Sequence, residues 1–322
     1  MAQIVVTGVA GFIGSTLAEK LLEQNHDVLG IDSITDYYSN RIKEKNVEIC
    51  LQKSNFTFLQ QDLSEIDLKE IFENVQYVFH LAGQPGVRKS WGKDFTIYNK
   101  NNIIVTQKIL ESLKDHNTLK KFVLASSSSV YGNQSGILNE EKSLTRPVSP
   151  YGVTKLAAEN LTNLYYENFK IPTVSLRYFT VYGPKQRPDM AFTKFFHSII
   201  NNKKISIYGN GEQTRDFTYV DDIVSATINA ATHNPVGKIF NIGGGSVTSI
   251  TQIIEIMKTL SKKDLEIEFI SEQKGDVKHT NADITKSKEL LNFIPKTDIK
   301  TGLQKQFDFI KNNQSLYDGI IN

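Results

Sequence analysis

Two apolar patterns alternate along the first half of this chain. Short unbroken apolar runs at 3–7, 27–31, 56–59, 77–81 and 121–125 read as strands buried on both faces. Between them lie stretches with helical spacing, such as Leu17, Leu21 and Leu22, or the long segment 99–113. Strand and helix in turn predict βαβ units, hence an α/β fold with a doubly wound parallel sheet. Further on, helical patterns at 192–200 and 251–260 and strand patterns at 205–208 and 240–242 continue the mixture of helix and strand, and the length allows one large or two intimate domains. No linker separates the halves, so the expected organisation is two interleaved lobes, 1–180 and 181–322. The tail after Lys311 has mixed polarity and is expected to be poorly ordered.

Composition narrows the class. The 322 residues hold 37 Lys+Arg against 35 Asp+Glu, which leaves no electrostatic footprint for nucleic acid or an anionic membrane. No apolar run approaches a membrane span, and no basic n-region precedes the first strand, so no export signal is read. The one cysteine, Cys50, fits a reducing cytoplasm. Six scattered histidines offer no ligand spacing, and no metal site is expected.

Candidate chemistry begins at the first strand's end. Gly8-Val9-Ala10-Gly11-Phe12-Ile13-Gly14 lies between a strand and a helix, where small residues let the backbone approach a pyrophosphate at the helix N-terminus. Asp32 closes the second strand, 18 residues after Gly14. A carboxylate there accepts ribose hydroxyls and repels a 2′-phosphate, favouring NAD over NADP. Asp62-Leu63 is placed to edge the adenine, or Asp62 to cap the next helix. The loop Ala82-Gly83-Gln84-Pro85-Gly86 falls beyond a strand's carboxyl end, where such sheets bind ligands.

Ser126-Ser127-Ser128-Ser129 ends the fifth strand and reads as facing a substrate. Pro150 then marks a helix start, and Tyr151 and Lys155, four residues apart, share one face of that helix. An ammonium beside a phenol favours phenolate and is expected to pull the Tyr151 pKa down.

These motifs, together with Arg177-Tyr178-Phe179-Thr180-Val181-Tyr182-Gly183-Pro184 and Arg215-Asp216-Phe217-Thr218-Tyr219-Val220-Asp221-Asp222, resemble those of the extended short-chain dehydrogenase/reductases. Within that family they resemble the nucleotide-sugar epimerases, from about residue 3 to about 305. The resemblance implies a Rossmann-type domain holding NAD, a C-terminal lobe gripping a UDP-sugar, and a homodimer paired through helices near 100–115 and 151–169. It implies catalytic Ser127, Tyr151 and Lys155. Cofactor contacts would come from Gly8, Gly11, Phe12, Ile13, Gly14, Asp32, Asp62 and Leu63. Leu81, Ala82, Gly83 and Gln84 would border the cofactor too, with Asn101 or Asn102 beneath the nicotinamide and Phe179 packed on it. Gln213 and Arg215 correspond to diphosphate contacts and Asp276 to a ribose contact. Gln273 departs from the pattern, standing where many relatives carry an Arg.

Members of this family share one first step: the Tyr takes a sugar hydroxyl proton while the carbon gives a hydride to NAD⁺. Dehydratases and decarboxylases resemble each other in carrying acids after the catalytic Ser/Thr, whereas here Ser128 and Ser129 follow. Elimination needs a general acid and base that serines replace poorly. That leaves return of the hydride to the other face of the ketone, a 4-epimerisation. The segment 181–192 and Gly86-Val87-Arg88 resemble UDP-glucuronate 4-epimerases, with Arg187 as the expected bidentate anchor of the C6 carboxylate, aided by Thr180. A UDP-glucose or UDP-N-acetylhexosamine 4-epimerase, a UDP-glucuronate decarboxylase and a non-catalytic NAD sensor stand as alternatives.

Overall fold

The structure, a computed structural model, describes residues 3–273 and 275–321. Its strands are β1 (Ile4–Thr7), β2 (Val28–Ile31), β3 (Phe56–Leu59), β4 (Tyr77–His80), β5 (Lys121–Ser127) and β6 (Thr173–Tyr178). They continue with β7 (Thr180–Tyr182), β8 (Ile205–Tyr208), β9 (Thr214–Tyr219), β10 (Lys238–Ile242), β11 (Val247–Ser249) and β12 (Ile267–Ile270).

Seven strands form one parallel sheet in the order β10-β6-β5-β4-β1-β2-β3. From β1 the chain moves outward through β2 and β3, then returns to lay β4 on the other side of β1. Connections therefore diverge between β1 and β4, the point at which such a sheet opens a crevice at its carboxyl edge. Side chains alternate across the sheet. Ile4 and Val6 enter the core shared with Leu17 and Leu21 of the helix Phe12–Glu23. Val5 between them enters the opposite core, with Val105, Ile109 and Leu110. Two buried faces account for the unbroken apolar runs.

β10, although it comes from late in the chain, joins the large sheet beside β6. The smaller lobe consists of a three-stranded sheet, β11-β9-β7, and a parallel pair, β12-β8.

Two expectations are corrected. The segment 99–113 is not one continuous α-helix: α-helical Phe95–Tyr98 passes into a π-helical turn, Asn99–Ile104, before Val105–Ser112. Such turns occur where a side chain is re-aimed at a functional site, and the buried residue here is Asn102. The tail after Lys311 is docked as far as it is described, to residue 321, because Tyr317 and Ile321 are 1% and 6% exposed within the main core. Two apolar anchors among polar neighbours carry too little periodicity to be seen in sequence.

His80 ties the layers together. Its ring bonds Thr7 Oγ1 at 2.8 Å and Thr106 Oγ1 at 3.0 Å, joining β4 to β1 and to the helix Val105–Ser112. Burial, and then the charge of Lys155, push its pKa down from 6.5 to about 3. The unfolded chain protonates this imidazole near 6.5 while the folded one keeps it neutral, so stability is lost as pH falls below 6.5. The slope from this one group reaches about 1.4 kcal/mol per pH unit. His80→Gln is expected to flatten the decline of urea-unfolding free energy between pH 6.5 and 5.

Candidate active site

The crevice above β1, β2 and β4 is built by backbone packed on backbone. Gly8 has φ +72, and a Cβ there would lie 2.7 Å from the Ala82 nitrogen; a Cβ on Gly14 would lie 2.1 Å from the Gly8 carbonyl oxygen. Only glycine permits this cradle. The helix that follows begins at Gly11 with no side-chain cap and no acidic residue in its first turn. Its N–H groups and positive dipole end are thus left to an anion. Asp32 accepts the Ala10 N–H at 3.0 Å and the Ile34 N–H at 2.8 Å. Burial nevertheless raises its pKa, against those bonds and the Lys43 charge. A glycine cradle, an uncapped helix start and an oriented carboxylate fit a dinucleotide.

On the far side, Asn102 accepts the Gln84 N–H at 2.7 Å and donates to the Gln84 carbonyl at 3.1 Å and to Thr154 Oγ1 at 2.9 Å. It binds the loop after β4 to the helix Pro150–Phe169 and leaves its neighbour Asn101 on the cleft wall. That helix starts where the sequence indicates, with Pro150 in its first turn and Ser149 Oγ accepting the Gly152 N–H at 3.1 Å. Gly152 fits closely against the serine turn, since a Cβ there would meet the Ser129 carbonyl at 2.6 Å.

Tyr151 and Lys155 both line the cleft. Lys155 Nζ donates to the Ala125 carbonyl at 2.9 Å, and burial lowers its pKa to about 8 against the raising effect of Glu159. The expected depression of Tyr151 is not what this arrangement gives. Burial raises the Tyr151 pKa, and the groups opposing that rise are the Ser127 hydroxyl and the charge of Arg187. The ammonium is directed at the Ala125 carbonyl, and burial of the phenol outweighs what pulls its pKa down. Ser127 Oγ also accepts the Ser129 N–H at 3.1 Å. Ser126 lines the cleft as well, while its hydroxyl donates to the buried Glu159.

Arg187, 19% exposed, reaches the same cleft, where Asp189 accepts from its Nε and its Nη2 at 2.9 Å each. The Nε/Nη2 edge is therefore already engaged, leaving the end-on edge of Nη1 and Nη2 to face a ligand carboxylate. Outside the main cleft, Arg88 Nη2 donates to Asp276 at 2.7 Å with its guanidinium 4.0 Å above the Tyr208 ring. Arg215 stands within electrostatic range of both and donates to the Thr214 and Lys278 carbonyls, and Gln213 donates to the Tyr208 carbonyl. Arg88, Arg215 and Asp276, 188 residues apart at the extremes, thus come together.

A profile of the NAD dependent epimerase/dehydratase family matches residues 4–243. The chain is 42% identical over 325 residues to a UDP-glucuronate 4-epimerase of Thermodesulfobacterium geofontis, covering 99% of each chain. It is also 42% identical over 320 residues to an uncharacterised UDP-glucose epimerase of Bacillus subtilis, covering 98% of this chain and 99% of that one. The crystal structure of the UDP-glucuronic acid 4-epimerase of Bacillus cereus, in complex with UDP-glucuronic acid and NAD, superposes with a TM-score of 0.94. Identity there is 44%, over 96% of this chain and 99% of that chain.

The chain belongs to the NAD-dependent epimerase/dehydratase family. Its cofactor is NAD, and the cleft fits it. Gly8, Gly11, Phe12, Ile13 and Gly14, then Asp32, Asp62 and Leu63, then Leu81, Ala82, Gly83, Gln84 and Asn101 all line one space with Tyr151 and Lys155. Asp62 does not cap the short helix Leu68–Phe72, which Asp67 caps; it accepts the Ser64 N–H and pairs with Lys100 at 3.2 Å. Phe179, by contrast, is 1% exposed and packed with Tyr131, while its neighbour Tyr178 lines the cleft.

Sequence reasoning missed Tyr37, Tyr38 and Lys43 on the cleft of this family member. Lys43 donates to the Thr35 hydroxyl at 3.0 Å and to its carbonyl. The tyrosines sit in a loop without periodicity, and a lysine on an amphipathic helix reads as solvated, so no sequence signal marked them.

Asn102→Ala removes three buried hydrogen bonds, worth about 1 kcal/mol each. It is expected to lower unfolding free energy by about 2–3 kcal/mol and to weaken NAD binding. Urea denaturation and calorimetric titration of NAD check both.

Proposed function

We propose that this family member catalyses NAD-dependent 4-epimerisation of a UDP-sugar, converting UDP-glucuronate to UDP-galacturonate through a 4-keto intermediate. The observation that carries the reading is a guanidinium, Arg187, on the wall of the cleft that also holds Tyr151 and Lys155. Its charge is felt at the Tyr151 phenol. A uronate presents one anionic group beyond its diphosphate, and a desolvated Arg beside the base is suited to take it.

In this reading Tyr151 removes the O4 proton, and Ser127 hydrogen-bonds the reacting oxygen and favours the phenolate. NAD, when bound, supplies the acceptor and returning donor of the C4 hydride. Lys155, largely charged at neutral pH with a pKa of about 8, steadies the anionic form of the base. Arg187 and Thr180 on one side and Ser127, Ser128 and Ser129 on the other hold the carboxylate of the keto-acid. A β-keto acid loses CO₂ when its carboxylate stands perpendicular to the carbonyl, and this grip prevents that alignment. Serines at 128 and 129 provide no general acid for dehydration. Gln213, Arg215, Arg88 and Asp276 take the UDP portion, which requires the Arg88–Asp276 pair to share its donors with the ligand.

The similarity to the Bacillus subtilis protein favours UDP-glucose as a second reading. NMR of the products from UDP-glucuronate, UDP-glucose and UDP-N-acetylglucosamine separates them: UDP-galacturonate is expected, and its absence would sink the first reading. Arg187→Ala is expected to weaken UDP-glucuronate binding about 30-fold with little change toward UDP-glucose. Tyr151→Phe is expected to slow turnover about 10³-fold.

We further infer a homodimer. Val153 and Leu164, 48% and 55% exposed, lie three turns apart on one face of the Pro150–Phe169 helix. Ile97 and Ile104, each 49% exposed, are seven residues apart alongside. Apolar faces of this kind call for a partner. Leu164→Glu is expected to yield a monomer in sedimentation equilibrium. No helix among the described residues is long and apolar enough to cross a membrane, and a buried, free Cys50 supports a cytoplasmic site of action.

A further inference from the structure

Beneath the catalytic residues lies a charged group that the reaction above does not use. Glu159 is 1% exposed and sits one helical turn after Lys155 on the same helix. Arg177 of β6, 3% exposed, donates to it from Nε at 3.0 Å and from Nη2 at 2.8 Å. The Ser126 hydroxyl of β5 donates to the same carboxylate. The Arg177 guanidinium stacks 4.7 Å from the Tyr131 ring centre, and Tyr131 in turn donates to Asn241 Oδ1 of β10 at 2.7 Å. Glu159 thereby connects the helix carrying the Tyr/Lys pair to three neighbouring strands of the sheet.

Burying a carboxylate and a guanidinium costs several kcal/mol per ion, and apolar residues of the same volume serve stability as well or better. A role in stability alone therefore gives little reason for this pair. Its position gives a better one. Ser126 directly precedes Ser127, and Ala125, whose carbonyl receives Lys155, directly precedes Ser126. The carboxylate thus holds the middle residue of this strand end, Ser126, directly, with Ala125 and Ser127 as its immediate neighbours.

We propose that Glu159 is a positioning residue for the reaction. It fixes the Ala125–Ser127 strand end through Ser126 and Arg177, and its negative charge keeps Lys155 an ammonium inside a buried site. The proposal rests on the reading of Tyr151 and Lys155 given above. Four other charged or titratable groups surround this pair. His80 approaches Lys155 from β4 as a neutral imidazole, and Arg177 approaches Glu159 from β6. Tyr131 comes from the turn after β5, and Glu140 accepts the Asn241 N–H beyond it. Among these, Glu159 is the group that favours charged Lys155. Without it, Lys155 loses its proton at lower pH, and the phenolate of Tyr151 loses its cationic neighbour.

The test has two readouts. The titration of the Lys155 ammonium is followed in NAD-free protein by NMR of ¹⁵N-lysine, assigned with Lys155→Arg. The pH profile of kcat is measured with UDP-glucuronate. For Glu159→Gln, the Lys155 titration and the alkaline limb of kcat are both expected to move to lower pH by about one unit or more. The double variant Glu159→Gln/Arg177→Met avoids an unpaired buried guanidinium and is expected to shift in the same direction by less, so a single variant that fails to fold does not remove the test. Arg177→Lys keeps the carboxylate and is expected to leave both titrations in place. Folded Glu159 variants that titrate as the parent does would overturn the proposal, as would an Arg177→Lys shift of equal size. If the parent turns over no UDP-sugar, the functional reading fails, and the Lys155 titration still decides the role of Glu159.

Discussion

The site depends on backbone meeting backbone where β1 and β4 end. A side chain at Gly8 would collide with Ala82, and one at Gly14 would collide with Gly8 itself. Close approach at these points brings the glycine turn, the start of the Phe12–Glu23 helix and the loop after β4 around one space. The divergence of the chain between β1 and β4 creates the opening, and the absence of Cβ atoms makes it narrow enough to grip a dinucleotide.

Burial then sets the electrostatics. It raises Tyr151 and Asp32 and lowers Lys155 and His80, which is the direction desolvation imposes on acids and bases. The site counters this with oriented partners: backbone N–H groups for Asp32, a hydroxyl and a guanidinium charge for Tyr151, a carboxylate for Lys155. His80 has no such counterweight and stays neutral, serving as a hydrogen-bonded tie between strands. One constraint thus acts on the cleft residues and on the structural tie alike, and what each is given as a neighbour separates them.

The two halves of the chain share one apolar core, and polar contacts add to it. Arg88 and Asp276 pair across the mouth, and Asn139 and Asp283 do so deeper, at 2.9 Å. β10 returning to the large sheet makes the lobes share a core.

Much of this was legible in the order of residues. Unbroken apolar runs gave the buried strands, because a sheet covered on both faces needs no polar positions. Gly8, Gly11 and Gly14, Asp32, and the Tyr151/Lys155 spacing marked the cleft, because local geometry there admits few residue types. Other features were decided only by tertiary structure. That Asn102 bridges while Asn101 faces the cleft depends on a π-turn stabilised by partners far away in sequence. The commitment of Arg187 to Asp189, the redirection of Ser126 to Glu159 and the docking of Tyr317 follow the same rule. Sequence records which groups a segment offers, whereas their partners, and hence their charge and direction, come from elements brought together by folding.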